Sequence, residues 1–302
     1  MKDTLLLIDG FNLLSRGYFA TAYGKNESSL PRNEQGLLIN GVRVFVQKMM
    51  NLIDRYQCSH VAVAWDVKRE ETQRRQTHAF YKASRDELPA PLIEQYETTQ
   101  AILTSLGIEQ LTEPPYEADD VIGTISKSWT DDARGHCFIY SNDKDLFQLL
   151  SPTCSQIIAQ KKQELVYDIE AFSTEFGITP EHWTDIKALL GDKSDNLPGC
   201  RGIGPKSALP LIQRYGTVEN LYAEIDELDP TLKRHQKKLV AGYDDVLITK
   251  SLATIDCDIP TLQEKVLDDF FLHMDELFFL DMTGAYGIKA SFPNHLRQTL
   301  FS

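Results

Sequence analysis

Three short apolar runs of this chain end in aspartate, and each has the length of a buried β-strand. They are "TLLLIDG", "HVAVAWD" and "HCFIYSND", and their terminal acids are Asp9, Asp66 and Asp143. Helical patterns separate the runs, for example the apolar spacing of "GLLINGVRVFVQKMMNLIDRY". Strands that alternate with helices predict an α/β fold with a mostly parallel central sheet flanked by helices. Ligands bind such sheets beyond the carboxyl ends of the strands, so we expect the three aspartates to meet at one edge.

Further acids occur in pairs at short spacing. "EPPYEADDVIGTI" places three carboxylates at the start of a helix predicted over 117–129, and "SNDKD" and "GDKSDN" each hold a pair. Aspartate commonly caps helices and favours turns, which is the simpler interpretation of each acid taken singly. The repeated pairs argue against it, because one cap needs one acid. The nine candidates are Asp9, Asp66, Glu117, Asp119, Asp120, Asp143, Asp145, Asp192 and Asp195.

Ligand sets made only of carboxylate oxygens suit hard divalent cations such as Mg²⁺ or Mn²⁺. Nine acids exceed the needs of one Mg²⁺, which normally keeps several waters. Two ions about 4 Å apart would use them and would suit the displacement of a phosphodiester. Cations would also let the neighbouring carboxylates tolerate one another. The sequence therefore predicts a cleft that holds two divalent cations.

Composition restricts the class of protein. The chain has 302 residues, of which 42% are hydrophobic and 25% charged, as in a globular protein of one large or two smaller domains. No apolar run approaches the roughly 20 residues of a membrane span, and the N-terminus lacks the pattern of a signal peptide. The five dispersed cysteines favour reduced thiols. These features predict a cytoplasmic protein without a membrane partner. The net charge of −13 argues against nucleic-acid binding unless the acids are concentrated in one pocket.

The order of the motifs resembles that of a known family, the bacterial and phage 5′ nucleases. The resemblance is carried by "LLLIDGFNLLSRGYFA", "AVAWD", "FYKASR", "EADDVIGTI", "SNDKDLFQLL" and "LLGDKSDNLPGCRGIGPKSALPLI", and it covers roughly residues 4–290. The chain looks like the 5′→3′ exonuclease (flap endonuclease) domain of bacterial DNA polymerase I, here free-standing. The resemblance implies a PIN-like core and hydrolysis at 5′ flaps and 5′ ends of duplex DNA, with RNA–DNA hybrids as further candidate substrates, in primer removal, replication and repair.

The resemblance also implies a role for each of the nine acids. The first metal would be held by Asp9, Asp66, Glu117 and Asp119, with Asp120 acting directly or through water. The second metal would be held by Asp143, Asp145, Asp192 and Asp195.

A basic segment, residues 68–92, follows the second predicted strand. A solvated helix face is one interpretation. In the family the segment forms an arch through which a single-stranded 5′ end passes, and phosphates require such positive charge. By resemblance, Lys82 contacts the scissile phosphate, Arg85 lies nearby, and either Arg74 or Arg75 matches a family arginine. Other arch residues expected to contact DNA are Phe80 and Tyr81, which can stack on bases, and Arg75.

The stretch "GCRGIGPKSALPLI" predicts two helices joined by a tight turn. Gly202 and Gly204 permit close approach of the backbone, and Pro205 suits the first turn of a helix. Amides at that helix start, with Lys206 and Ser207, can bind a phosphate. A plain glycine-rich turn is the alternative. In the family this region is a helix-three-turn-helix that grips duplex DNA without reading sequence, often with a bound K⁺. The basic "LKRHQKK" extends this surface or is a solvated face.

The predicted organisation has three parts: a nuclease core over 1–175, the helix-three-turn-helix region over 176–260, and a segment over 261–302 that packs back on the core. A monomer is expected. Three other functions are weaker candidates. A metal-bound DNA-binding module would show no turnover. A phosphatase with Asp9 as nucleophile would need an Asp-x-Asp pair, which "DGFN" does not supply. An RNA-directed nuclease of related fold would not need the second region.

Overall fold

One six-stranded sheet organises the computed structural model, which describes residues 2–160 and 163–299. The strands are β1 (Asp3–Asp9), β2 (His60–Ala64), β3 (Glu109–Leu111), β4 (Gly135–Tyr140), β5 (Cys154–Ala159) and β6 (Glu164–Tyr167). Their spatial order is β3-β2-β1-β4-β5-β6. The first five strands run parallel and β6 is antiparallel to β5, so the predicted mostly parallel sheet is confirmed. The strand order reverses between β1 and β4, where α/β sheets form a crevice.

Helices connect and cover the strands. They are α1 (Gly10–Ala22), α2 (Asn40–Tyr56), α3 (Gln73–Thr77), α4 (Ala90–Ser105), α5 (Ala118–Asp131), α6 (Ile169–Phe176), α7 (Trp183–Leu190), α8 (Pro205–Tyr215), α9 (Val218–Ala223), α10 (Gln236–Ala241), α11 (Tyr243–Ala253), α12 (Pro260–Gln263), α13 (Glu276–Ala285) and α14 (Asn294–Thr299). None of the helices in the described parts of the chain is long and apolar enough to cross a bilayer.

The alternation of side chains along β1 divides the core into two layers. Leu6 and Ile8 pack with apolar residues of α1, α2 and α4, whereas Leu5 and Leu7 pack with those of α5 on the other face. Successive residues of a strand point to opposite faces, so a wholly apolar strand requires cover on both. The apolar positions that predicted the second helix are all buried: Val42, Phe45, Val46, Met49, Leu52 and Ile53.

Several elements differ from the prediction. The strand predicted over "HVAVAWD" ends at Ala64, so its aspartate lies in the following loop. The helix predicted from "KDLFQLL" is a 3₁₀-helix over Lys144–Leu149 whose adjacent Leu146 and Phe147 enter different apolar clusters. The helix α1 was not predicted, because two glycines interrupt its pattern. A Cβ on one of them, Gly10, would lie 2.5 Å from the Trp65 ring, so the glycine permits close packing there.

The strands β5 and β6 were also missed. The strand β5 reads "CSQIIA", and its polar Ser155 and Gln156 are buried, which conceals the apolar pattern of a central strand. Gln156 is held inside because its amide donates to the main-chain oxygens of Ser141 and Asp143 at 3.0 and 2.6 Å. A buried amide that supports a loop cannot be distinguished in sequence from an exposed one.

A separate apolar cluster joins the helices after β6. Its aromatic centre brings Phe147, Phe172 and Trp183 together, with ring centroids 5.4 to 5.6 Å apart. Farther along the chain, Phe270 packs on one face of the sheet, and Phe279 and Phe292 lie in the cluster of the other face. The three-part division of the chain stays a prediction, and residues 300–302 of its last part lie outside the described residues.

Candidate metal centre

Four aspartates face one another at the carboxyl edge of the sheet. Asp9 ends β1, Asp66 follows β2, Asp143 follows β4, and Asp119 lies in the first turn of α5. Burial, the Asp66 charge and the Asp143 charge raise the pKa of Asp9 to about 7. Burial also raises the pKa of Asp119 well above its ordinary value, and the charges of Asp143, Asp9 and Asp66 add to the effect. The sequence-predicted convergence of these acids is therefore present.

Local hydrogen bonds explain why the chain can hold these carboxylates in place. Asp9 Oδ1 accepts from the Asn12 N–H at 3.0 Å and caps α1, while its Oδ2 accepts from the Ser141 hydroxyl at 2.8 Å. The same Ser141 oxygen accepts from the Asp143 N–H at 3.0 Å. Capping and convergence are thus compatible in Asp9. Ser141 was not predicted as a site residue, although it precedes the "NDKD" acids directly.

Cationic side chains of the arch segment compensate the negative charge of Glu117. Its Oε1 accepts from the Lys82 ammonium at 2.6 Å, and its Oε2 accepts from the Arg74 guanidinium at 3.1 Å. The Tyr81 hydroxyl donates to the same Oε2 at 3.0 Å. Glu117 is the N-cap residue of α5 and forms a reciprocal capping box with Asp120. The "EADD" acids at the mouth of an apolar helix are therefore compatible with burial, because arch cations and helix amides surround two of them.

Asp120 uses both carboxylate oxygens in contacts with the protein. Its Oδ1 accepts from Arg74 at 2.7 Å and from the Asp256 N–H at 2.8 Å. Its Oδ2 accepts from Arg74 at 2.6 Å and from the Glu117 N–H at 3.1 Å. The residue is 1% exposed. In this arrangement Asp120 holds Arg74 and the start of α5 in place and presents no open oxygen to the cleft.

Lys187 of α7 bridges two further acids. Its ammonium lies 2.8 Å from Asp145 Oδ1 and 2.6 Å from Asp192 Oδ2. Burial and the Asp143 charge raise the pKa of Asp145 to about 7, and Lys187 opposes them only in part. Asp192 is less enclosed; burial raises its pKa, but hydrogen bonds from Lys187 and Ser194 outweigh this and hold it at about 2. Lys187 was not predicted from the sequence, although it stands five residues before "DKSD".

The ninth acid, Asp195, belongs to the arch contacts. Its Oδ1 accepts from Arg85 at 2.6 Å, and Lys82 lies 3.9 Å from its Oδ2. The nine predicted acids thus fall into two groups. Asp9, Asp66, Asp119 and Asp143 repel one another in the cleft, whereas the other five are paired with lysine or arginine.

The donor set suits hard cations, but the side chains are not closed around one. Within residues 2–160 and 163–299, no three acidic, histidine or cysteine side chains are arranged to hold a metal ion. Oxygen donors alone match the preference of Mg²⁺ and Mn²⁺, and a cation would relieve the repulsion that raises the pKa of Asp9 and Asp119. The acids therefore fit divalent cations in chemistry and charge. Some of them must turn away from their lysine and arginine partners to ligate an ion.

The arch residues lie close to the acids. Arg74 contacts Asp120 and Glu117, whereas Arg75 donates to the Tyr81 carbonyl oxygen at 3.2 Å, so Arg74 is the one of the two that faces the carboxylates. Tyr81 is 3% exposed, and its ring is covered in this conformation, unlike the base-stacking surface predicted for it. The ring is covered because its hydroxyl donates a hydrogen bond to the buried Glu117. Phe80 is 39% exposed, so its ring remains accessible to solvent.

The predicted hairpin lies in the helical region after β6. Gly202 has a φ of +83°, a left-handed conformation that favours glycine, and Gly204 precedes the first residue of α8. Lys206 is exposed and Ser207 is half-buried at that helix start. The Lys238 ammonium donates to the Gly202 carbonyl oxygen at 3.0 Å, which ties the basic "LKRHQKK" stretch to the hairpin. The structure thus places the hairpin and this basic stretch together.

Comparison with known proteins gives consistent matches. A family model described as "5'-3' exonuclease, N-terminal resolvase-like domain" matches residues 4–177, and one described as "5'-3' exonuclease, C-terminal SAM fold" matches residues 178–274. A 5'-3' exonuclease of Halalkalibacterium halodurans is 57% identical over 288 residues, which are 95% of each chain. DNA polymerase I of Bacillus caldotenax is 35% identical over 279 residues, 89% of this chain but 29% of the polymerase.

A solved structure shares the fold. It is the bacteriophage T5 D15 flap endonuclease in a pseudo-enzyme-product complex with DNA and metal ions, with a TM-score of 0.64 and 23% identity. The likeness covers 94% of this chain and 99% of the T5 chain, so it extends over both the sheet and the helical region.

Proposed function

The chain belongs to the 5'-3' exonuclease family, and we propose that it hydrolyses phosphodiester bonds at 5′ flaps and 5′ ends of duplex DNA with divalent cations. The observation that carries the proposal is the group of four mutually repelling aspartates at the switch point of the sheet. Such a group is costly unless a cation occupies it in the working protein. The names of two similar proteins support the same conclusion. The H. halodurans protein is named a 5'-3' exonuclease, and the T5 protein is a flap endonuclease whose structure contains DNA and metal ions.

Two Mg²⁺ or Mn²⁺ ions are the proposed cofactors. When bound, they supply Lewis-acid chemistry that lowers the pKa of water and offsets negative charge on the reacting phosphate. The residues that would hold them are Asp9, Asp66, Glu117, Asp119, Asp143, Asp145, Asp192 and Asp195. Asp120 would contribute by holding Arg74 and Glu117, because its oxygens are already used.

The lysine and arginine side chains that are paired with the carboxylates acquire a second role in this proposal. Lys82, Arg85 and Lys187 neutralise carboxylates that an ion would also neutralise, so they become available to phosphate when ions bind. Burial lowers the pKa of Lys82, but Glu117 and the other anions around it raise the pKa above that of an ordinary lysine. Lys82 is therefore charged at neutral pH. Its role is to stabilise negative charge on phosphate, and it does not accept a proton.

The substrate would be recognised by shape. Phe80 offers an exposed ring beside the cationic arch, and Lys206 lies at the start of α8, where amides favour an anion. We propose that the hairpin binds duplex backbone, with K⁺ as a candidate ion there, and that the protein works as a monomer. We propose that the physiological substrates are DNA 5′ flaps and 5′ ends and include RNA–DNA hybrids at primer junctions. Backbone contacts do not select base sequence, so junctions of any sequence would serve.

Cleavage of an end-labelled 5′-flap duplex tests the function. We expect cutting near the junction with Mg²⁺ and none with EDTA, because the carboxylates alone cannot activate water. The matched control is the same duplex with its flap on the 3′ strand end, which should not be cut at the junction. Tight binding of the 5′ flap without cutting under any divalent cation would instead support a metal-binding DNA module.

Lys206→Ala should weaken duplex binding by roughly threefold to tenfold and reduce the slope of log affinity against log salt by about 1. Loss of one phosphate contact explains both effects, and the loss should not depend on base sequence. The measurement is fluorescence anisotropy with flap duplexes of two sequences at several salt concentrations. Lys289→Ala, at an exposed lysine near the end of the chain, is the control. An equal effect of both substitutions would contradict a specific role of the hairpin.

A further inference from the structure

The arch is fastened to a neighbouring turn by contacts that use no carboxylate of the metal centre. We call residues 81–85 the arch base and residues 191–196 the acidic turn. The Lys82 N–H donates to the Asp195 carbonyl oxygen at 2.9 Å. Asn196 Oδ1 accepts from both the N–H and the hydroxyl of Ser84, at 3.1 and 2.8 Å. These bonds therefore hold the arch base to the acidic turn without using any of the carboxylates.

Two unusual backbone conformations meet at this contact. Lys82 has a φ of +52° and Asn196 a φ of +59°. Asparagine tolerates the left-handed region, whereas a lysine there needs support from its surroundings. The other two non-glycine residues with positive φ in the described parts of the chain, Gln57 and Ala133, lie in the ordinary turns that follow α2 and α5. The lysine with the strained backbone thus lies where the arch base is hydrogen-bonded to the acidic turn, and these bonds hold its backbone conformation.

The main chain of Lys82 is held from two sides. Besides the bond from its N–H, its carbonyl oxygen accepts from the Arg69 guanidinium at 2.9 Å, and the same group donates to the Arg85 carbonyl oxygen at 2.8 Å. The side chain points to Glu117, with 2.6 Å between Nζ and Oε1. Such an arrangement fixes the root of the side chain and leaves the ammonium able to exchange one anion for another.

We propose that Asn196 is a positioning residue for Lys82, which it places by fastening the arch base to the acidic turn. The inference rests on the proposed function, because Lys82 acts there on the reacting phosphate. The acidic turn also carries Asp192 and Asp195, so the fastening sets the lysine relative to the proposed second metal. A misplaced lysine slows the chemical step, whereas DNA still binds through the rest of the surface.

Asn196 has a second possible reason to be present, because a left-handed residue in a turn is often asparagine for conformational reasons alone. Asn196→Gly separates the two roles. Glycine adopts the same φ without cost but removes the acceptor for Ser84. Ser84→Ala removes only the hydroxyl donor at an exposed residue and should fold normally. Asn196→Asp keeps an acceptor oxygen and tests rescue.

Hydrogen exchange of the metal-free protein tests the fastening directly. We expect Asn196→Gly to speed exchange of arch-base amides by about tenfold or more, with a smaller effect in Ser84→Ala and near-normal exchange in Asn196→Asp. In single-turnover cleavage of saturating 5′-flap DNA with Mg²⁺, we expect Asn196→Gly to be about tenfold slower, with the dissociation constant for DNA within about twofold. In a Lys82→Ala background the same substitution should cause no further slowing.

Normal exchange and normal cleavage in Asn196→Gly would overturn the proposal, because glycine would then serve as well as asparagine. Slowing that persists undiminished in the Lys82→Ala background would also overturn it, since Asn196 would act through another group. If the unsubstituted chain cleaves no substrate, the proposed function fails. The exchange measurement still decides in that case whether Asn196 fastens the arch base.

Discussion

Asp119→Asn should nearly abolish cleavage and should make the metal-free chain more stable. The cleavage rate should fall by on the order of 10³-fold or more. The substitution removes one of the carboxylates that fit a cation, and a bound cation lowers the activation barrier by several kcal/mol. The stability change has the opposite sign from that of most buried substitutions. Asp119 sits among Asp9, Asp66 and Asp143, and burial together with their charges raises its pKa well above the ordinary value. An uncharged amide at this position relieves the repulsion.

The pH dependence follows from the direction of that shift. A carboxyl whose pKa is raised in the folded state stabilises the fold below the pKa of the unfolded chain, and this contribution is lost as pH rises through the folded pKa. At pH 7.5, which is above the pKa of the carboxyl in the unfolded chain, the metal-free folded chain has lost part of this contribution, and Asp119→Asn should raise the free energy of unfolding by about 1 to 3 kcal/mol. At pH 4.5 the gain should shrink towards zero.

Urea unfolding with EDTA at both pH values measures the gain, and the cleavage assay with Mg²⁺ measures the loss. Asp281→Asn removes the same charge at an exposed position of α13 and is the matched control, with little effect expected on either quantity. A metal-free Asp119→Asn chain that is less stable at pH 7.5 would contradict the repulsion. Cleavage at a tenth of the normal rate would contradict the role proposed for Asp119.

The positions of three of the four central aspartates could be predicted because strand ends are local features. A buried apolar run that stops at an acid indicates both where a parallel strand ends and which edge of the sheet it reaches. Asp9, Asp66 and Asp143 follow from three such runs, and the structure brings them together with Asp119. The α2 helix was predictable for a similar reason, since its apolar residues recur at helical spacing.

The partners of the remaining acids could not be predicted, because they depend on contacts between distant segments. Lys187 bridges Asp145 and Asp192 across the helical region, which no spacing along the chain indicates. Arg74 and Arg75 are neighbours in sequence and chemically identical, and only the short α3 helix turns the first towards Asp120. Composition treats both arginines alike, whereas folding gives them different roles.

The covered Tyr81 shows a related limit of sequence patterns. An aromatic residue in a basic segment is compatible with base stacking, and the prediction used that compatibility. A phenol beside a buried carboxylate has another use for its hydroxyl, and Glu117 is such a partner at 3.0 Å. The choice between a stacking ring and a buried donor depends on where the arch folds. Phe80 has no polar atom to satisfy, and its ring is the one that stays exposed.

Lys82→Met should slow cleavage of the 5′-flap duplex by roughly 10²- to 10³-fold and change the dissociation constant for DNA by less than about threefold. The lysine is expected to act on charge that develops in the transition state, and the rest of the arch and the hairpin bind the substrate. The metal-free chain should also become less stable, because Glu117 is 7% exposed and loses its ammonium partner at 2.6 Å. Lys82→Met should thus lower both the cleavage rate and the stability, whereas Asp119→Asn should lower the rate and raise the stability.

Lys82→Arg and Lys193→Met are the controls for this prediction. Arginine keeps the charge but not the compact ammonium, so we expect intermediate cleavage and partial rescue of stability. Lys193 is an exposed lysine of the acidic turn, and its substitution should leave the single-turnover rate within about threefold of normal. Weaker DNA binding by Lys82→Met that accounts for the whole loss of activity would assign the lysine to substrate affinity and not to the reaction.

The pH profile of cleavage separates charge stabilisation from proton transfer by the same lysine. The anions around Lys82 raise its pKa above that of an ordinary lysine, and a phosphate that replaces Glu117 is again an anion. The ammonium should therefore stay charged throughout the range in which cleavage is measured, roughly pH 6 to 10. We expect Lys82→Met to lower the single-turnover rate by the same factor at every pH in that range. A factor that grows with pH would show that the rate depends on deprotonated lysine, and the role of Lys82 as a fixed positive charge would be wrong.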